Sequence, residues 1–354
     1  MVVNGIDVTI VVSREEGPIS RELASVQNIG IVYLNKKSNN RFISYFKDFT
    51  GLLRFTASLK KHDVLYTRYA PQSIFIIPRS CTVITEHQTK ELIEYQLGSS
   101  LPFLLEKCVG RINRKLRDYF VAVTQEISDF ECTYGEVDHI VIPNGISLQK
   151  IQLVSKKNVI GDEFHIVGLA NVSRWHGYDR MIEGLSKYSG SVKVYFHIIG
   201  EGDELQNLKL LTEKCGLDKQ VLFHGPKSGS ELDEIMNNHH VAVGALGIHR
   251  KGIKEAATLK SREYCARGIP FIEDSIDADF MNFPYRYQIE ANESPIDIER
   301  LIEFFNACAL NEYPRIMREY AEQNLTWDSK MKLLKSFLMK VLPKDMSVEK
   351  TVDQ

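Results

Sequence analysis

Short apolar runs that alternate with amphipathic stretches, in two consecutive rounds, constrain this chain more than any other feature. In the first round IDVTIVVS, IGIVYL, DVLYTRY, CTVITEH, YFVAVT and HIVIP read as strands. Helical spacing lies between them, clearest at 101–118 with Leu101, Leu104, Leu105, Cys108 and Ile112. The same grammar restarts after about residue 160. FHIVGLANV, VKVYFHIIG, QVLFHG, HHVAVGALG and IPFIE read as further strands, separated by helical stretches at 177–188, 202–215, 230–238 and 258–267. Strands joined by helices pair in parallel, because each helix carries the chain back to start the next strand in the same direction. The class is therefore α/β, in two units of similar size. VIPNGISLQKIQLVSKKNVIGDE joins them, and its Pro143-Asn144-Gly145 punctuation and polar run mark a turn and linker. From about 296 the spacing of Ile298, Leu301, Ile302 and Phe305 predicts helix. A last helix is expected near 327–342, followed by a polar tail, KDMSVEKTVDQ.

Composition narrows the function classes. The chain carries 44 basic and 46 acidic residues, a formal net charge of −2. Proteins that grip nucleic acid show a basic excess, so nucleic acid is not an expected partner. No apolar run approaches the ~18 residues that span a bilayer. The start, MVVNGIDVTIVVSREE, lacks a basic region ahead of its apolar stretch and reads as a strand, not a signal peptide. Six widely spaced cysteines, without CxxC or CxxxH, read as reduced thiols of a cytoplasmic protein.

Three stretches carry chemistry. In KGIKEAATLKSREYCARGIPFI at 251–272, Glu255 and Glu263 follow one strand and precede another. LKSREYCARG reads as a helix closed by Gly268 and stopped by Pro270. Residues 255–259 then form a strand-to-helix loop whose free amides attract phosphate. Glu263, further along that helix, can accept paired hydrogen bonds from vicinal hydroxyls; two solvated glutamates are the plainer alternative. In HIIGEGDELQNLKLLTEKCGLDKQVLFHG, Gly200 and Gly202 end one strand and Gly225 the next, where glycines let the backbone approach a ligand closely. In GLANVSRWHGYDRMIEGL, the strand-to-helix loop carries Arg174 and His176, which suit a diphosphate.

The order IPNG, strand-loop-helix near 170–185, GEG, FHG and then E-x7-E before ARGIPFI resembles the retaining GT-B glycosyltransferases of the group-1 family (family 4), over roughly 141–275. The resemblance implies two Rossmann-like, doubly wound domains facing across a cleft. It implies an acceptor-binding domain over 1–150 and a nucleotide-sugar-binding domain over 151–326. Residues 327–354 are then a helix and tail packing back on the first domain. Glu263 matches the ribose-binding glutamate and Glu255 the one near the donor sugar. Thr258 and Leu259 fall where loop amides meet the diphosphate. Gly200 and Gly202 line the floor, and Gly225 with Pro226 flanks the base. In TEHQT, His87 matches a donor-sugar contact. Where the family has a glycine-rich turn, this chain has Ala256, Ala257 and Thr258. Its usual Arg and Lys are replaced by Asn171 and His176, so the phosphate cation falls to Arg174, with Lys260 or Arg250 contributing. MVVNGIDVTIVVS matches the family's second strand; the first strand and its loop lack a counterpart, as expected of a start lying further upstream.

The expected reaction is sugar transfer from a nucleotide-diphosphate sugar, UDP- or GDP-linked, to a hydroxyl of a sugar or lipid-linked acceptor, with retention and without metal or other cofactor. Polysaccharide or glycoconjugate biosynthesis is the expected setting. Asp277-Ala278-Asp279, which has a metal–diphosphate form, reads instead as surface acid. LPFLLEKCVGRINRKLRDYF sets Lys107, Arg111, Arg114, Lys115 and Arg117 beside Phe103 and Leu104, which suits peripheral contact with an anionic inner leaflet or a plain surface helix. Two other classes stay open: a catalytically inactive GT-B scaffold, and another nucleotide-sugar enzyme such as a 2-epimerase.

Overall fold

The structure, a computed structural model, describes residues 8–14, 29–35, 41–71, 77–78, 80–98 and 100–342. The tail at 344–354 and the first residues of the chain lie outside them. The chain divides into two units: residues up to Ile142 together with those from Met331 onward, and Pro143–Lys330.

In the first unit β1 (Val8–Arg14) and β2 (Ile29–Asn35) pair in parallel, followed by α1 (Arg41–Ser58). A separate four-stranded parallel sheet runs in sequence order: β3 (Val64–Arg68), β4 (Thr82–His87), β5 (Tyr119–Ala122) and β6 (His139–Val141). Between β4 and β5 lie α2 (Glu91–Gly98) and α3 (Ser100–Arg114); α4 (Gln125–Cys132) precedes β6. Among the described residues the two sheets do not join.

The second unit holds a six-stranded sheet ordered β12-β11-β10-β7-β8-β9, every pairing parallel. Its strands and helices alternate: β7 (Glu163–Leu169), α5 (Tyr178–Lys187), β8 (Lys193–Ile199), α6 (Leu205–Lys214), β9 (Val221–Gly225), α7 (Gly229–Asn237), β10 (Val241–Val243), α8 (Leu259–Arg267), β11 (Phe271–Glu273) and β12 (Arg286–Gln288). Then come α9 (Ile298–Ala309), α10 (Tyr313–Asn324) and α11 (Trp327–Val341). The alternation of apolar residues along β7 and β8 puts Phe164, Ile166, Val194, Phe196 and Ile198 into the core, all under 1% exposed. The opposite face carries His165 and His197, whose rings are joined Nδ1 to Nε2 at 3.1 Å. All six cysteines are free.

Two boundaries differ from the sequence reading. The first unit ends at 142, not 150, because residues just beyond belong to the second by their bonds. Arg262 Nε donates to the Asn144 carbonyl (2.6 Å), Asn144 Nδ2 to the Ala257 carbonyl (2.9 Å), and Ile146 bridges to Thr326. The last helix begins in the second unit; from Met331 it belongs to the first, where Leu334, Phe337 and Leu338 pack on Ile84, Val121 and Ile142.

Candidate functional site

The second sheet reverses direction between β7 and β10: β8 and β9 extend one way from β7, β11 and β12 the other. Helices leaving neighbouring strands there pass to opposite faces, so a crevice opens at the carboxyl ends, where ligands of open α/β sheets bind. The loops after β7 and β10 border it. They are joined by a bond from the Leu246 amide to the His176 carbonyl (3.0 Å). The loops after β7 and β8 touch as closely: a Cβ on Gly200 would stand 1.8 Å from the Ala170 carbonyl oxygen, and one on Gly202 2.3 Å from that of Val172. Both residues have positive φ (123° and 147°), so glycine is required there on two counts. The Gly200 amide donates to the Gly225 carbonyl (2.9 Å), and Pro226 follows, exposed.

The other border is the loop entering α8. Its backbone is pinned without a glycine-rich turn. The Ala256 amide donates to the Ile276 carbonyl (3.0 Å), Glu255 forms a bridge with Ile276, and Ala257 is held by Asn144. Thr258 caps the helix; its hydroxyl accepts from the Ser261 amide (3.3 Å) and lies 2.7 Å from the Ser261 hydroxyl. Ser261 Oγ donates to Glu273 Oε2 (2.5 Å), and Arg286 Nε donates to Glu273 Oε1 (2.7 Å). This chain fixes the first turn of α8 to the end of β11. The first amides of a helix have no intrahelical acceptor, which leaves those of Leu259 and Lys260 for an incoming anion. Leu259 itself is exposed.

The cations behave differently from one another. Arg250 is bound to Asp179 (2.7 and 2.9 Å) and to Glu293, so its charge is already neutralised. His176 is buried, and its Nδ1 accepts from the Ser173 amide (3.0 Å). Burial, with the neighbouring Lys260 charge, lowers its pKa to about 3, so the ring is neutral and supplies no positive charge. Arg174 is exposed on the loop. Lys260 is the exceptional one. Its stem is half-buried, yet its Nζ is buried and has no hydrogen-bond partner. Burial lowers its pKa to about 7, against the pull of Glu273.

The structure overturns the surface readings of Asp277, Arg114 and Arg117, and gives Glu263 and His87 partners of their own. Glu263 is not simply open to a ribose: its Oε1 accepts from Arg267 Nε (2.9 Å), and Arg267 also holds Asp233 (2.6 Å). Asp277 is not surface acid. It is 1% exposed and holds the buried Arg262 (2.7 Å), which also reaches Asp279 (2.5 Å), itself bound by Lys330 (2.5 Å). His87, in the first unit, is wholly buried. Its Nδ1 meets Glu91 (3.0 Å), its Nε2 faces Arg117 (2.9 Å) and Thr85 (3.2 Å), and Tyr69 stacks on the ring. Arg114 and Arg117 converge on Glu131, so they belong to this buried network and not to an exposed basic face. Among the described residues His87, Glu91 and Glu131 bring their ligand atoms within 4.8 Å, but the two guanidiniums already hold the carboxylates and would repel a cation.

Residues 150–275 match the family described as glycosyl transferases group 1. That match lies wholly within the second unit. An uncharacterized glycosyltransferase of Methanocaldococcus jannaschii is 20% identical over 264 residues, which cover 71% of this chain and 65% of that protein. The chain thus spans just under two thirds of that relative's length. Solved glycosyltransferases share the fold. Sucrose-phosphate synthase of Thermosynechococcus elongatus has TM-score 0.65 and 13% identity, covering 96% of this chain and 90% of that one. HepE of Anabaena, solved in complex with UDP, has TM-score 0.60 and 12% identity, covering 94% and 92%. The fold is GT-B, built from two Rossmann-like domains.

Proposed function

We propose that the chain is a retaining, metal-independent glycosyltransferase that moves a sugar from a UDP- or GDP-linked donor to a hydroxyl of a sugar or lipid-linked acceptor in polysaccharide or glycoconjugate biosynthesis at the cytoplasmic side. The observation that carries this reading is Lys260: a buried amine without a partner, on the first turn of α8, beside the switch point of the sheet. A diphosphate there would take the amine, the free amides of the helix and Arg174. In the reaction the bond from the sugar's anomeric carbon to the diphosphate oxygen breaks. The acceptor oxygen bonds to that carbon on the same face, and its proton passes to a phosphate oxygen. Charge grows on the leaving diphosphate, and Lys260 with the α8 amides is placed to stabilise it. Glu263 would take the ribose hydroxyls through the oxygen that Arg267 does not hold. Glu255, fixed by its bridge to Ile276, would face the sugar. HepE, of like fold, was solved with UDP and with UDP-glucose, which supports this donor class.

A thermal-shift series with UDP, GDP, ADP and CDP, with and without EDTA, tests the reading. One nucleotide should raise the melting temperature, with or without EDTA, and the rise should vanish in Lys260→Met and Glu263→Ala. A parent chain that responds to none of the four overturns it, and a response abolished by EDTA overturns metal independence. The burial of His87 favours a second reading, a catalytically inactive scaffold. Nucleotide binding without transfer or hydrolysis of any donor would decide for it. Peripheral contact with an anionic leaflet now rests on Leu101, Leu104, Lys107, Arg111, Ile112 and Lys115, all exposed. Absence of pelleting with anionic liposomes would remove it. Among the described residues no helix is long and apolar enough to cross a membrane.

A further inference from the structure

We propose that binding of a nucleoside diphosphate is coupled to uptake of one proton by the Lys260 amine. The inference rests on the site assigned above and adds a regulation to it. An ammonium whose Nζ is shut from water and lacks any acceptor is costly, and such a group sheds its proton unless a partner is supplied. The groups facing it do not supply one. Glu273, at the end of β11, is occupied by Ser261 and Arg286. His176, from the loop after β7, is neutral and spends its Nδ1 on the Ser173 amide. Arg262, on the same helix, turns to Asp277 and Asp279. The amine's pKa, lowered to about 7, agrees with this arrangement. A diphosphate oxygen brings the missing acceptor and two negative charges, so the bound state holds the charged form. The proton comes from solvent, and no covalent bond changes. Donor binding would then weaken as the pH rises above neutrality, although the diphosphate does not titrate there: a terminal phosphate loses its last proton near pH 6.

Isothermal titration calorimetry with UDP, or whichever of the four nucleotides stabilises the chain, tests this in HEPES and in Tris at pH 7.5. The difference in apparent heat between the buffers counts protons. The parent should take up about 0.75 proton more than Lys260→Arg, whose guanidinium stays charged. Between pH 7.5 and 8.5, below the ionisation of the base, the parent's Kd should rise about eightfold, and that of Lys260→Arg should stay level. Equal proton counts in the two proteins overturn the coupling while leaving the site intact. So does a parent Kd that does not change between pH 7.5 and 8.5, whether or not the variant folds. A parent that binds none of the nucleotides overturns the site itself, and the coupling with it.

Discussion

Replacing Lys260 by methionine should stabilise the free protein while disabling it. Moving an amine from its ordinary 10.5 to about 7 corresponds to about 5 kcal/mol set against the charged form, at about 1.4 kcal/mol per pH unit. At pH 7 half the amines are already neutral, which returns less than about 0.5 kcal/mol, so more than about 4 kcal/mol of the penalty remains. Methionine fills a similar volume without that charge. Allowing for relaxation around the site, a gain of about 2–4 kcal/mol is expected, large against a total of about 5–15. The pH dependence identifies its origin. Because the folded-state pKa is lowered, the unfolded chain binds more protons between pH 7 and 10.5. The parent's stability therefore climbs through that window, by up to about 1.4 kcal/mol per pH unit. The variant lacks this climb, so the two curves should converge towards pH 10. The chain's two tryptophans, Trp175 and Trp327, both lie in the second unit, so urea unfolding followed by their fluorescence reports on the relevant unit. Equal stabilities at pH 7, or a gap that persists unchanged to pH 10, would refute the claim that Nζ lies buried and unpaired. The variant's loss of nucleotide response would place Lys260 among residues that trade stability for function.

Other outcomes follow from the same geometry. Gly200→Ala drives a Cβ into the Ala170 carbonyl at φ 123°; it should cost at least ~2 kcal/mol in urea unfolding and abolish the nucleotide-induced thermal shift. Arg262→Ala strands Asp277 and Asp279 without their guanidinium; a loss of about 3–5 kcal/mol is expected, and a loss below 1 kcal/mol would contradict the buried pairing. Acid should destabilise the second unit, because burial lowers His176 and His239 from 6.5 to about 3. His197 and His240, lowered to about 4, act in the same direction. The unfolded chain binds the extra protons below pH 6.5, so between pH 7 and 5 each of the four rings removes up to about 2 kcal/mol. His239→Gln should shrink the drop in tryptophan-monitored unfolding by about one ring's share, ~2 kcal/mol.

The strands were legible because they are apolar runs bounded by polar turns, a local signal. β7 and β8 announced themselves through Phe164, Ile166, Phe196 and Ile198. β12 did not: it is three residues, Arg-Tyr-Gln, and becomes a strand only because β11 offers it an edge. The helix opening at Leu259 was equally readable, since Thr258 is a cap residue and Gly268 with Pro270 ends the helix. Electrostatic identity was not readable. Arg114 reaches Glu131 across 17 positions, and Arg262 reaches Asp277 across 15. Charged letters therefore looked like surface when partners distant in sequence had buried them. The reverse held for Lys260. Its character lies in an acceptor its surroundings lack, and no pattern of neighbouring letters encodes that. His87 stands at a strand end, as the sequence says, but Arg117 and Glu91 decide that its ring is enclosed.

The nesting of one unit within the other sets an order of assembly during synthesis. Every residue of the second unit has been made before Met331 appears, so that unit can close while its host is still open. The host waits for Leu334, Phe337 and Leu338, the last pieces to cover Ile84, Val121 and Ile142. Until then those residues of β4, β5 and the segment after β6 stand without their cover, for as long as the ribosome needs for nearly two hundred further residues. A nascent chain stopped short of 331 would thus carry a finished second unit attached to an unfinished first, and the apolar face left bare is where a chaperone would be expected to hold it.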